Sequence, residues 1–261
     1  MIGAFVFLLG LCVGSFLNAF VYRLAKEESA FKGRSYCPKC KHQLSSLDLV
    51  PVLSFLFLLG KCRYCKKPIS LQYPIVEFST GVLFTALFLL LSPQNMLEYI
   101  SFAFSLFIAS GLIAIFAYDL KHFLIPDVVL FPIMGAAGFL LVQKSIEQGT
   151  IDPLRLGLFS ALGAAGFFLA LFLVSKGAWM GFGDVKFAFF MGLFLSWPSI
   201  LPALFVAFFL GAVIGIALIL LKKKQWKSQV PFGPFLIFGT FSAIFFGKQL
   251  VDYYSGLLVV Y

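Results

Sequence analysis

The chain has 261 residues, of which 61% are apolar and only 12% charged, and its mean hydropathy is +1.00. A soluble domain is nearer half apolar and a quarter charged, so this composition excludes a water-soluble globular fold and points to a bilayer. The net charge of +9 allows nucleic acid or anionic lipid as a partner. The basic residues fall in short connections between apolar runs, with no aromatic-basic patch outside them, so membrane lipid is expected and nucleic acid is not.

A helix needs about 20 apolar residues to cross a hydrocarbon core of about 30 Å. Eight runs approach that length, at 2–22, 75–92, 99–118, 124–143, 154–174, 185–198, 200–221 and 232–250. The first has neither a positive segment before it nor a small-residue cleavage site after it, so it reads as a span rather than a removable signal peptide. Cys12 within it is a small packing residue. Residues 49–60, LVPVLSFLFLLG, are too few to span and carry Pro51, which predicts an interfacial or re-entrant segment. The sixth run is short and bounded by Trp197-Pro198. No internal repeat is evident. The expected fold is all-α and polytopic, with about eight transmembrane helices. It divides into a first helix (1–22), a cysteine-rich loop subdomain (23–74) and a membrane domain (75–261).

Charge sets the expected orientation. With the N-terminus outside, residues 23–74, 119–123, 175–184 and 222–230 face the cytosol. All Lys and Arg except Lys144, Arg155 and Lys248 are then on or at the edge of that side. Retention of lysine and arginine in the cytosol is the strongest orientation signal in a single sequence.

The loop contains Cys37-Pro-Lys-Cys40 and Cys62-Arg-Tyr-Cys65, separated by 21 residues. Two such knuckles supply four thiolates, the tetrahedral shell that zinc prefers. The separation slightly exceeds the usual ribbon window. Disulfides are the competing reading, disfavoured for a cytosolic loop. With four sulfurs and no open position, the metal is expected to be structural. His42 is a possible substitute ligand but reads more simply as a loop residue.

Three acids lie against membrane runs on the cytosolic side: Asp119, Asp127 and Asp184. An ionisable group beside a span is costly and usually faces a partner or a wet cavity. Topology puts Asp119 at the end of the third run and Asp184 at the start of the sixth, at one depth. Two close carboxylates share a proton, the arrangement an aspartyl protease needs. Gly181 and Gly183 allow a sharp turn or a close approach. Taken singly, Asp184 and Asp127 also read as helix caps.

The sequence resembles the type IV prepilin peptidases, a family of G-x-G-D membrane aspartyl proteases. The resemblance is carried by Gly14–Arg23, Cys37–Cys65, Gln72–Glu77, Tyr118–Asp127, Gly181–Lys186 and Pro231-Phe-Gly-Pro234. It implies that Asp119 and Asp184 are the catalytic pair and that Asp127 supports them. It also implies that 75–261 is the protease domain of a multi-pass protein of the bacterial inner (plasma) membrane. The implied reaction is removal of the basic leader of prepilins or pseudopilins, followed by methylation of the new N-terminus with S-adenosylmethionine. Methylation rests on the resemblance alone, because the sequence has no G-x-G-x-x-G motif. Glu77 is a candidate cofactor-binding acid, with an interfacial acid paired to Arg23 or Arg63 as the alternative. Competing functions are a membrane cation transporter that uses the three aspartates, a general intramembrane protease and an inactive assembly factor.

Overall fold

The computed structural model describes residues 1–29, 33–221 and 230–259, with side chains to residue 253. The basic run 222–227, part of the orientation argument, lies outside the described residues. The helices are α1 (Ile2–Leu24), α2 (Leu53–Phe57), α3 (Gln72–Leu91), α4 (Met96–His122), α5 (Asp127–Gln148), α6 (Asp152–Val174), α7 (Phe182–Leu195), α8 (Ile200–Leu220) and α9 (Gly233–Val259). Among the described residues there is no strand, only two isolated β-bridges in the cysteine loop.

The helices begin and end where local chemistry directs. Asn95 and Glu98 exchange side-chain and backbone bonds at the entry to α4, satisfying amides that have no intrahelical partner. Pro126 precedes α5, and Asp127 sits in its first turn beside the positive helix end. Gly149, at φ 63°, closes α5 in the left-handed conformation that glycine adopts without a Cβ penalty.

Seven helices, all except α2 and α7, are long and apolar enough to cross a membrane. Helix α7 corresponds to the sixth predicted run, but its 14 residues rise only about 21 Å. It ends at Leu195 because Ser196 takes φ 58°. The short α7 is instead wrapped by protein: Asp184, Val185, Phe187, Ala188, Phe190, Met191, Gly192 and Leu193 are all buried. The chain is thus a multi-pass helical membrane protein whose eight long elements include one internal helix too short to span alone.

Two compact units, Met1–Ala114 and Ile115–Tyr261, divide the chain within α4. In the first, α1 packs closely along α3. A Cβ on Gly14 would fall 2.7 Å from the Glu77 Cα, and one on Gly10 would fall 2.7 Å from the Gly81 Cα. Such contact matters in lipid, where helices associate through tight packing rather than hydrophobic expulsion. In the second unit, α7 packs on α5, α6 and α9, and α8 pairs with α9.

Gly14→Val is expected to push α1 off α3, costing about 1–3 kcal/mol or more as other overpacking changes do. Its thermal midpoint in detergent should fall well below that of Gly163→Val, a site with nothing within 4 Å. Equal midpoints would contradict this packing.

Candidate active site

The expected functional residues fall into two groups, one in each unit. In the second unit, a cavity of about 870 Å³ is lined by Asp119, Asp127 and Asp184 together with Lys186, the segment Gly177–Gly183 and the segment Val230–Phe232. Asp119 and Asp184 are both buried, at 3% and 8% exposure, and near enough to interact electrostatically. Asp127 is exposed.

Helix ends bring these groups together. Asp119 lies in the last turn of α4, whereas α5, α7 and α9 each begin at the cavity or one residue beyond its lining. Helix N-termini carry unpaired amides and partial positive charge, which favour nearby carboxylates. Asp184 Oδ2 accepts the Gly181 amide at 3.2 Å. The same residue therefore caps its own helix and faces the cavity, so the capping and site readings hold together. Asp119 accepts the Gly233 amide at the start of α9.

Gly181 is extended (φ −80°, ψ 157°) rather than left-handed. The left-handed residues of this loop are Lys176 and Gly177. Gly183 provides close approach, since a Cβ there would sit 3.2 Å from the Ile125 Cβ.

Sequence reasoning missed the partner of Asp127. Lys186 Nζ donates to Asp127 Oδ1 and Oδ2 at 2.5 and 2.7 Å, and it also lies 5.7 Å from the Phe131 and Phe182 rings. The signal was available in Gly-Phe-Gly-Asp-Val-Lys, where Lys186 follows Asp184 by two positions. The pairing makes Asp127 half of an ion pair at the cavity wall.

In the first unit, Cys37, Cys40, Cys62 and Cys65 meet, with their sulfurs all within 4.8 Å of one another. Each knuckle is the same hairpin. The Cys37 amide bonds the His42 carbonyl, the Lys41 amide the Cys37 carbonyl, and the Leu44 amide the Ser35 carbonyl. The identical pattern recurs 25 positions on, at Cys62, Lys66 and Ile69. Lys41 and Lys66 share a left-handed φ of 62° and 57°. Segments Ser35–Leu44 and Gly60–Ile69 are thus a structural repeat that the sequence did not reveal.

This sulfur cluster can hold a metal ion. Burial pushes the Cys37 thiol up, but the amides of Cys40 and Lys39 outweigh it and bring it down to about 7. The Cys40 thiol moves the other way, to about 11: the His42 backbone lowers it, but desolvation and the Cys37 and Cys65 sulfurs prevail. Four crowded thiols cannot all ionise unaided, a conflict that a divalent cation removes. His42 is not among the four ligand positions. It stacks on Tyr64, with ring centroids 3.7 Å apart.

Asp48 ties the second knuckle to the 3-10 turn Ser46–Leu49. It accepts from Arg63 Nε at 2.7 Å, from the Tyr64 hydroxyl at 3.1 Å and from Ser45. Burial raises its carboxyl, but these donors prevail and hold it below the ordinary aspartate range. Glu77 is buried and accepts the Val52 amide at 2.7 Å. Arg63, one of its two expected partners, bonds Asp48 instead.

Residues 8–91 match the Bacterial Peptidase A24 N-terminal domain, and residues 106–216 match the Type IV leader peptidase family. The prepilin leader peptidase/N-methyltransferase of Aeromonas hydrophila is 31% identical, covering 95% of this chain and 92% of its own length. The chain belongs to the type IV leader peptidase family. The protein of the same name from Burkholderia pseudomallei (strain 1026b) is 32% identical over 94% of this chain and 85% of its own. That from Pseudomonas aeruginosa is 28% identical over 95% and 91%. No solved structure matches the chain. The leader peptidase match spans both aspartates, and the N-terminal match spans all four cysteines.

Asp48→Ala should leave Arg63 and Tyr64 without their acceptor, at a cost of about 1 kcal/mol because both donors are exposed to water. The expected result is faster loss of bound metal to a chelator with helix content unchanged. Metal release at the unmodified rate would contradict this anchoring role.

Proposed function

We propose that this chain removes the leader peptide of type IV prepilins or pseudopilins at the cytosolic face of the bacterial inner membrane and methylates the new N-terminus. The observation that carries the peptidase reading is the meeting of two buried carboxylates, Asp119 and Asp184, on one cavity. In this reading the N-terminus is outside, 23–74 forms a cytosolic metal-binding subdomain, and 75–261 is the protease domain embedded in lipid.

The chemistry follows from the pair. Two neighbouring carboxylates hold one proton between them, and the titration belongs to the pair. The ionised member takes a proton from water, whose oxygen bonds to the leader-junction carbonyl carbon. The protonated member donates to the carbonyl oxygen. Collapse breaks the C–N bond, the amine leaves with a proton, and the pair regains its single proton. Supporting roles fall to Asp127, held by Lys186, to Gly181, whose amide donates to Asp184, and to Gly183, whose missing side chain allows the approach to Ile125.

For the metal we propose zinc. A zinc–sulfur distance of about 2.3 Å puts tetrahedral sulfurs about 3.8 Å apart, compatible with the crowding of Cys37, Cys40, Cys62 and Cys65. Four thiolates close the shell, so zinc supplies folding energy to the subdomain and takes no part in hydrolysis. S-adenosylmethionine is the expected methyl donor. Glu77 does not fit it well, because that carboxylate already accepts the Val52 amide. No methyl-transfer step is assigned to it.

Detergent-purified chain mixed with a prepilin should yield a cleaved product whose N-terminal mass carries one added methyl when S-adenosylmethionine is present. Asp119→Asn and Asp184→Asn should each lower cleavage at least about 100-fold, the scale of lost acid–base catalysis. Asp127→Asn should be milder, within about tenfold. A graded loss spread equally over the three positions would favour a cation site instead. Elemental analysis should find one zinc per chain, and Cys62→Ser should lose it.

A further inference from the structure

The motif Pro231-Phe-Gly-Pro234 runs from the cavity lining into the start of α9. Gly233 is the first residue of α9 and is buried. Its amide donates to the Asp119 carboxylate. A Cβ built on it would lie 2.5 Å from Asp119 Oδ2 and 3.2 Å from the Asp119 Cγ. Real Cβ atoms do not come so close, so alanine at 233 must move either the carboxylate or the start of α9.

The start of α9 has little freedom to move. Phe232 packs with Phe208 of α8 at 5.2 Å, Phe168 of α6 at 6.1 Å and Phe235 at 6.1 Å between centroids. The Phe235 and Leu236 amides bond back to the Phe232 carbonyl. Ile125 also lies 3.6 Å from the same Cβ position. The carboxylate, at the last turn of a helix, is the softer partner.

We propose that Gly233 is a positioning residue for Asp119: its amide fixes one carboxylate oxygen, and its missing side chain is what permits that approach. This deepens the peptidase reading and rests on it. Substrate need not touch Gly233, because the effect passes through the aspartate. Displacing a reacting group by about 1 Å typically costs about 100-fold in rate.

The test compares unmodified chain, Gly233→Ala and Gly215→Ala, where a Cβ meets nothing within 4 Å, on a purified prepilin in the same detergent. The expected result is a kcat about 100-fold lower for Gly233→Ala alone, with KM within about threefold and thermal midpoint near that of the control. A near-normal kcat, or a loss confined to KM, would overturn the positioning role. Failure of the unmodified chain to cut prepilin would instead remove the peptidase reading beneath it. Amide hydrogen exchange decides the matter even if Gly233→Ala does not fold. The Gly233 amide should be protected in unmodified chain and exchange at least about tenfold faster in Asp119→Ala, with Phe235 and Leu236 unaffected. Unchanged protection at Gly233 would sink the proposal.

Discussion

A carboxylate taken from water into a bundle of phenylalanines loses hydrogen bonds that the protein must supply again, or the burial is prohibitively costly. In the second unit each buried aspartate receives a backbone amide from a glycine at a helix start. Gly181 serves Asp184, and Gly233 serves Asp119. Backbone donors suit this task because they bring no competing charge, and at Gly233 the missing side chain lets the amide come close. The N-terminal ends of α5, α7 and α9 converge on the same cavity, so their dipoles add a fixed positive potential where the negative charge resides. The field is built from backbone, with Lys186 reserved for the exposed Asp127.

That arrangement explains why α7 is short. Its first turn must hold Asp184 at the cavity while its body fills the centre of the unit, and a helix enclosed by α5, α6 and α9 has no need to match the bilayer thickness. Helix α8 is the opposite case. Only Ile200, Ala203 and Ala207 are buried along it, leaving a surface suited to lipid. A single apolar composition thus serves two environments, and contact with neighbours rather than hydropathy tells them apart.

Much of this was legible beforehand. Membrane runs are long and uninterrupted, so seven of the eight proved long enough to span. The paired cysteine knuckles point to a shared centre even at a separation slightly beyond the usual ribbon window, and the aspartates at 119 and 184 stand out because acids beside spans are rare. What remained hidden depends on backbone geometry. The Ser35–Leu44 and Gly60–Ile69 hairpins share the cysteine pair and a lysine but little else, and their likeness lies in hydrogen bonds and left-handed φ values. The Gly233 amide cannot be read from residue types, because a buried amide has no letter. The Asp127–Lys186 pair joins positions 59 apart that periodicity does not relate. The turn expected of Gly181 proved to be made by Lys176 and Gly177.

The apolar segment 49–60 shows how the first unit uses the same backbone logic. Too short to cross a bilayer, it follows the 3-10 turn Ser46–Leu49 and forms the single-turn helix α2, with Leu53, Leu56, Phe57 and Leu59 exposed. Val52, which begins α2, takes φ 60°, an uncommon conformation for a β-branched residue. Its amide is held by the buried Glu77 of α3. Glu77 therefore acts as a latch that keeps a strained turn against a membrane helix. Asn18 of α1 reinforces the same corner by donating to the Tyr73 carbonyl. With the turn so fixed, the apolar side chains of α2 stay exposed, while Lys61, Arg63, Lys66 and Lys67 follow immediately along the chain. Apolar residues next to a basic cluster suit a lipid headgroup boundary. The two cysteine hairpins flank α2 along the chain, and their four sulfurs come together, so α2 belongs to a loop closed at both ends by the cluster that can hold a metal ion.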